Sequence, residues 1–204
     1  MIKTIILGAG GRMGRQLVEQ VAAEPGMTVC GAVEMTGSSF LGQDAGTVAG
    51  IAPLGVHITD DFAAIADSAD AVIDFSFHAV APANARVAAA AGLLTVIGTT
   101  GLTADERAEL QALADAGARV VFAPNMSVGV NLLFHLCGQV AGILGHEYDI
   151  EVVEMHHNQK KDAPSGTAVR LGEILADASG AVYDRDVVHG RRGMVGARTQ
   201  KEIG

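Results

Sequence analysis

The chain has 204 residues, 49% hydrophobic and 18% charged, the composition of a globular protein whose core serves one large or two small domains. Its formal net charge of −9 argues against non-specific nucleic-acid binding, which needs a basic surface to displace counterions, so an anionic ligand must be met by local cations or helix N-termini. No apolar run reaches the roughly 18 residues that span a membrane, no signal peptide precedes the first strand pattern, and Cys30 and Cys137 lack CxxC spacing, which together predict a cytoplasmic protein with reduced, buried thiols.

Residues 4–7 form a short apolar run that ends in Gly8-Ala9-Gly10-Gly11-Arg12-Met13-Gly14. Met13, Leu17, Val18 and Val21 recur at helical spacing, Glu24-Pro25-Gly26 stops that helix, and a second apolar run over residues 27–33 ends at Glu34. Strand, glycine-rich turn, helix and strand make a βαβ unit. Residues 35–56 are rich in Gly, Ser, Thr and Asp, a long connection of the functional or mobile kind. Next come a short helix at 62–66, a strand at 71–75, an alanine-rich helix at 80–91 stopped by Gly92, and a strand at 93–97 ending in Gly98-Thr99-Thr100-Gly101. Thr103 caps another helix, with Glu106 completing a capping box, and a last strand at 119–122 ends in Ala123-Pro124-Asn125.

Alternating helices and short apolar strands call for a parallel sheet covered on both faces, an α/β, Rossmann-type doubly wound fold. In such a sheet the ligand sits over the C-terminal ends of the strands. Composition changes after Asn125. The pattern predicts a long apolar helix at 128–144, a strand at 148–155, a helix at 165–178, a basic glycine-rich tail from 187, and the start of a strand at 199–203. A dinucleotide-binding domain over residues 1–127 is thus expected before an α+β substrate-binding and catalytic domain over 128–204, incomplete at its C-terminus.

The glycine loop reads Gly8-x-x-Gly11-x-x-Gly14, with Gly10 also present. A loop of this kind turns sharply, lets backbone approach a pyrophosphate and opens a helix whose free amides favour anions. Glu34 follows Gly14 by 20 residues and ends the second strand, where a carboxylate can accept hydrogen bonds from an adenosine ribose. A 2′-phosphate needs a cation there; Met35 supplies none and Arg12 is in the loop, so NADH is preferred over NADPH, with dual use possible. In this topology Gly98, Thr99 and Thr100, with Ala123, Pro124, Asn125 and Met126, fall at the nicotinamide end.

The second half centres on Glu154-Met155-His156-His157-Asn158-Gln159-Lys160-Lys161-Asp162-Ala163-Pro164-Ser165-Gly166-Thr167. If residues 148–157 are one strand, His156 and His157 point to opposite faces. Pro164-Ser165-Gly166-Thr167 is a helix N-terminus, where a Ser cap, open amides and a Thr hydroxyl suit a carboxylate. A solvated lysine pair before an ordinary capped helix is the plainer reading of the same residues. No metal-ligand spacing is visible.

The glycine loop, Gly98-Thr99-Thr100-Gly101 and the stretch from Glu154 to Thr167 together resemble the dihydrodipicolinate reductase family, in order along the whole chain. The resemblance implies reduction of 4-hydroxy-tetrahydrodipicolinate (dihydrodipicolinate) to tetrahydrodipicolinate by hydride transfer from NAD(P)H, in diaminopimelate and lysine biosynthesis. Gly8, Ala9, Gly10, Gly11, Arg12 and Met13 would bind the dinucleotide and Glu34 its ribose. His156 takes the place of the family's catalytic histidine and Lys160 that of its proton-donating lysine. His157, Gly166 and Thr167 would hold the carboxylates of the small cyclic dicarboxylate substrate, and Lys161 becomes a solvated neighbour. Two departures stand out: Met35 replaces the arginine that often follows the ribose-binding glutamate, and the family continues some 60 residues beyond residue 204, completing a sheet through which it is usually homotetrameric. The chain is therefore expected to be a C-terminally truncated copy, and the alternative is dinucleotide binding without turnover. An aldehyde-dehydrogenase reading would need a nucleophilic cysteine, which Cys30 in a strand and Cys137 in an apolar helix do not suit.

Overall fold

Ile5 and Ile6 are adjacent in β1 (Ile2–Leu7) and both fully buried, Ile5 with Leu7, Phe62, Val72 and Leu93, Ile6 with Val18, Val21, Val29 and Ile58. Successive side chains of a strand go to opposite faces, so this continuous apolar run belongs to a sheet covered on both sides. The computed structural model describes residues 1–158, 160 and 163–204. The chain divides into two compact units, Met1–Ala123 and Pro124–Gly204.

In the first unit β1 is followed by α1 (Arg12–Ala23), β2 (Met27–Val33), α2 (Ala45–Ala49), β3 (Ile58–Thr59), α3 (Phe62–Ile65), β4 (Ala71–Asp74), α4 (Ala81–Ala90), β5 (Leu94–Ile97), α5 (Ala104–Asp115) and β6 (Val120–Phe122). The strands form one parallel sheet in the order β3-β2-β1-β4-β5-β6. This is the expected doubly wound sheet. Its order reverses between β1 and β4, and all the strands end on one edge, which is where ligands sit in such folds. The capping box at Thr103 and Glu106 is present.

Two parts of this unit differ from the pattern. β3 is only two residues long, pairing Ile58 with Ala32 and Thr59 with Val33, too short to carry an alternation. The connection at 35–56 holds α2, hidden in sequence by its glycine. Asp44 caps α2: its carboxylate accepts from the amides of Thr47 at 2.9 Å, Leu54 at 3.1 Å and Gly55 at 2.7 Å. Those donors, Thr47 first, hold the Asp44 carboxyl down to about 2. Gly46 is needed inside the helix because a Cβ there would lie 2.3 Å from the Ala52 carbonyl oxygen.

The second unit contains α6 (Val128–Leu144), α7 (Gly166–Ser179) and α8 (Tyr183–Asp186). Its core is Ala141, Leu175, Ala176, Ala181 and Ile203, with Cys137, Ile150, Val152 and Tyr183 packed against it. The strand expected at 148–155 is not formed. Ile150 makes a single parallel bridge to Ile203, which also bridges Val187, and residues 199–203 carry no ladder either. The alternation of apolar and acidic residues is strand-like, but a strand exists only where a second strand accepts its hydrogen bonds, and here these stop at Val152 N to Gly204 O and Gly204 N to Ile150 O. Much of the tail's positive charge is paired: Arg191 binds Glu202 and Glu151, and Arg198 binds Glu151 at 2.7 Å.

The expectation about membrane-length runs also needs correcting. Residues Val128–Glu147 form 20 consecutive helical residues with mean hydropathy 1.5 over an 18-residue window, enough to cross a membrane by length and composition. Asn131, His135 and Gln139 interrupt the apolar run in sequence, but Glu147 is the first Asp, Glu, Lys or Arg in the helix. One such helix is weak support for a span, because core helices of soluble proteins pass the same test.

Candidate active site

In the first unit the glycine loop is shaped by close backbone approach. Gly8 has φ +75°, and a Cβ on Gly14 would lie 1.9 Å from the Gly8 carbonyl oxygen, so α1 meets β1 with no room for a side chain. Gly11 is the N-cap of α1 and offers no side-chain acceptor, which leaves the first-turn amides available to an anion. The Gly10 amide donates to Glu34 Oε1 at 2.8 Å, and Met35 N donates to Glu34 Oε2 at 3.1 Å. Each carboxylate oxygen retains acceptor capacity for a ribose hydroxyl. Gly8, Gly10, Gly11 and Glu34 are thereby brought together, whereas Ala9 is 1% exposed and packs into the core, and Arg12 and Met13 face outward.

Arg15 and Phe40 join this loop unannounced by the sequence. Arg15 Nε donates to the Gly10 carbonyl at 2.8 Å while its guanidinium lies 4.9 Å from the centre of the Phe40 ring. The Phe40 ring lies over Gly10, where a Cβ would be 2.4 Å from it. Only the helical phase of Arg15, one turn inside α1, could have signalled the contact.

Asp74, 1% exposed at the end of β4, organises the neighbouring strand ends. It accepts from Ser76 N at 2.8 Å, Ser76 Oγ at 2.6 Å and Asn84 Nδ2 at 2.9 Å, and the Thr99 hydroxyl donates to it at 3.3 Å. The Thr99 side chain is thus committed to Asp74, while Thr100 is exposed. Gly98 is covered by the Phe75 ring, which a Cβ would meet at 2.0 Å. His78 Nδ1 lies 3.0 Å from Glu106, whose carboxyl is lowered chiefly by the Thr103 amide and then by His78. An acid ending an apolar strand was the one available signal for Asp74.

In the second unit α7 begins at Gly166, with Ser165 as its cap accepting from Ala168 N at 3.1 Å. Asn125 Nδ2 donates to Thr167 Oγ1 at 3.1 Å, its carbonyl accepts from Asn131 Nδ2 at 3.0 Å and its Oδ1 accepts from Ser127 N at 2.9 Å. Asn125 therefore links the first turns of α6 and α7, a role within this unit that its expected place at the nicotinamide end did not suggest. Glu154 accepts from Ser165 N at 2.8 Å and from the Ser165 hydroxyl, and its Oε2 lies 3.6 Å from His156 Nδ1. The Ser165 hydroxyl and amide hold the Glu154 carboxyl below its usual range, with His156 and Lys160 adding to the effect.

His156 and His157 are both exposed, and Lys160 N donates to the His157 carbonyl at 3.2 Å. Because residues 151–157 form no strand, the alternation argument for the two histidines does not apply. Lys161 lies outside the described residues. Pro124 is half-buried and Met126 exposed at the entry to α6. Among the described residues no group of three or more His, Cys, Asp or Glu side chains is placed to hold a metal ion. Cys30 and Cys137 are free thiols, and burial pushes the Cys30 thiol up, which disfavours a thiolate nucleophile.

Residues 2–126 match the family model described as dihydrodipicolinate reductase, N-terminus, and residues 129–204 that described as dihydrodipicolinate reductase, C-terminus. The chain belongs to this family. It is 50% identical over 204 residues to the 4-hydroxy-tetrahydrodipicolinate reductase of Anaeromyxobacter dehalogenans (strain 2CP-C), covering all of this chain and 75% of that protein. The same enzyme of Geobacter sulfurreducens is 47% identical, with 76% of its length covered. The chain thus spans about three quarters of these relatives' length. A dipicolinate-bound dihydrodipicolinate reductase from Paenisporosarcina sp. TG-14 shares the fold, with a TM-score of 0.66 at 23% identity over all of this chain and 77% of that one. A scyllo-inositol dehydrogenase from Lactobacillus casei with bound NAD(H) and scyllo-inositol has a TM-score of 0.55 at 16% identity, over 88% of this chain and 56% of that one. Membership of the dihydrodipicolinate reductase family makes the chain an oxidoreductase with a dinucleotide-binding Rossmann domain.

Proposed function

We propose that the chain reduces 4-hydroxy-tetrahydrodipicolinate to tetrahydrodipicolinate with NADH, the first unit binding the dinucleotide and the second handling the substrate. The 4-hydroxyl first leaves as water, giving the unsaturated ring; the bound cofactor would then supply a hydride to a ring carbon, and the protein's share is binding, orientation and proton placement. Gly8, Gly10 and Gly11 present backbone to the pyrophosphate at the free N-terminus of α1, and Glu34 accepts from the adenosine ribose. Glu34 repels a 2′-phosphate, Met35 offers no cation, and Arg15 is engaged by Gly10 and Phe40, which favours NADH over NADPH. Gly98, Thr99 and Thr100 contribute backbone at the nicotinamide end, with Ala123, Pro124, Asn125 and Met126.

Within the second unit His156 acts as general acid or orienting group, and Lys160 delivers the proton to the carbon beside the one that takes the hydride. His157, Gly166 and Thr167 hold the two carboxylates. The observation that carries this reading is the fastening of the His156 segment to the capped end of α7 through Glu154 and Ser165, beside the Thr167 hydroxyl. The homotetramer and cytoplasmic setting implied by the resemblance belong to the same proposal.

The test is NADH consumption with freshly generated 4-hydroxy-tetrahydrodipicolinate, repeated with NADPH. Turnover with kcat/KM higher for NADH supports the proposal, and NADH binding without substrate-dependent consumption contradicts it.

A further inference from the structure

We propose that Glu154 is a positioning residue of this reaction, one carboxylate that holds both His156 and the capping residue of the substrate helix. The inference rests on the function proposed above and adds a residue to it. Glu154 Oε1 accepts from Ser165 N at 2.8 Å, and Oε2 accepts from the Ser165 hydroxyl while standing 3.6 Å from His156 Nδ1. Ser165 is 6% exposed, while the Glu154 and His156 side chains are 28% and 38% exposed, so a buried cap anchors a cluster that opens to the surface at the start of α7.

Two consequences follow from the donor and acceptor inventory. With its proton given to Glu154, the Ser165 hydroxyl turns a lone pair to the Ala168 amide, which it accepts at 3.1 Å, and the first turn of α7 is thereby fixed in orientation. At the same time the carboxylate puts a fixed negative charge beside Nδ1 of His156. Nε2 is left as the ring atom turned away from Glu154, the one able to face substrate. The distance is that of an ion pair rather than a hydrogen bond, so charge, more than directional bonding, sets the ring. The acid and the carboxylate-binding amides are thus set relative to each other by a residue that need not touch substrate.

The test compares E154Q, E154A and S165A in the full chain. Gln keeps an acceptor for the Ser165 amide and removes the charge beside His156. In E154Q we expect kcat to fall on the order of tenfold with KM for NADH unchanged, and in E154A on the order of 100-fold, since orientation and charge are both lost. S165A should lower Tm and raise KM for the dicarboxylate more than it lowers kcat. By NMR, the His156 ring resonances should move in E154Q while those of His135 and His189 stay in place. Wild-type kcat in E154Q, with or without a ring shift, overturns the proposal, as do unmoved His156 resonances. If the wild-type chain itself shows no turnover, the proposed function fails, and the ring shift alone decides whether Glu154 sets His156.

Discussion

The Gly10 amide donates to the Glu34 carboxylate at 2.8 Å, so the loop that ends β1 and the acid that ends β2 are joined before any ligand arrives. Hydrogen bonds to a charged acceptor contribute about 1.5–3 kcal/mol, and Glu34 keeps acceptor capacity for the ribose that we propose it binds. Replacing Glu34 by Gln should therefore raise KM for NADH by about tenfold or more and leave kcat within about threefold. The same change removes the charge that repels a 2′-phosphate, so the ratio of NADPH to NADH efficiency should rise. Steady-state kinetics with each cofactor check this, and a collapse of kcat at unchanged KM would contradict it.

Gly14 is required by packing rather than by backbone freedom. A Cβ there would meet the Gly8 carbonyl oxygen at 1.9 Å and Ala9 Cα at 2.7 Å, both backbone atoms that cannot swing aside. Gly14→Ala should cost about 1–3 kcal/mol of stability, the range for an overpacked core, and weaken NADH binding as α1 is pushed off β1. Urea denaturation checks the first effect, and an unchanged midpoint would show that the loop relaxes at no cost.

The cap of α2 makes stability depend on pH. Asp44 ionises more readily in the folded chain, its carboxyl held down to about 2 by the Thr47 amide with those of Leu54, Gly55 and Val56. Its contribution is therefore complete above the ordinary carboxyl range near ~4 and is lost as pH falls towards the folded value. Asp44→Asn should lower Tm at neutral pH, and the gap to the wild type should narrow as pH falls through that window. A gap independent of pH would mean that the charge of Asp44 contributes nothing.

The parts that were legible in the sequence are those set by local pattern. β1, β2, β4 and β5 read as strands because burial on both faces leaves a continuous apolar run, and α5 announced itself through Thr103 and Glu106. Residues 148–155 misled because their alternation is right for a strand while the partner that would make one is lacking along most of the segment; Val153 is 84% exposed and Met155 92%. Glu34 and the glycine loop were legible as a pair from spacing alone. Asp74 with Thr99, Arg15 with Phe40 and Asn125 with Thr167 were not, since each pair joins residues 25 to 42 apart that only the folded chain brings together. Glu154 was visible as part of a motif, but its partner Ser165 lies eleven residues on, beyond the turn, and periodicity says nothing about such a meeting.

The central claim is that proton chemistry resides in the His156–Lys160 segment and dinucleotide binding in the glycine loop and Glu34. Lys160→Ala tests it most directly, by measuring in one preparation both NADH affinity, by titration without substrate, and substrate-dependent NADH consumption. The account predicts a kcat reduced by about 10²- to 10⁴-fold, the usual contribution of a positioned proton donor, with the Kd for NADH within about twofold of wild type. Loss of NADH binding in step with turnover, or turnover near the wild-type rate, would contradict it.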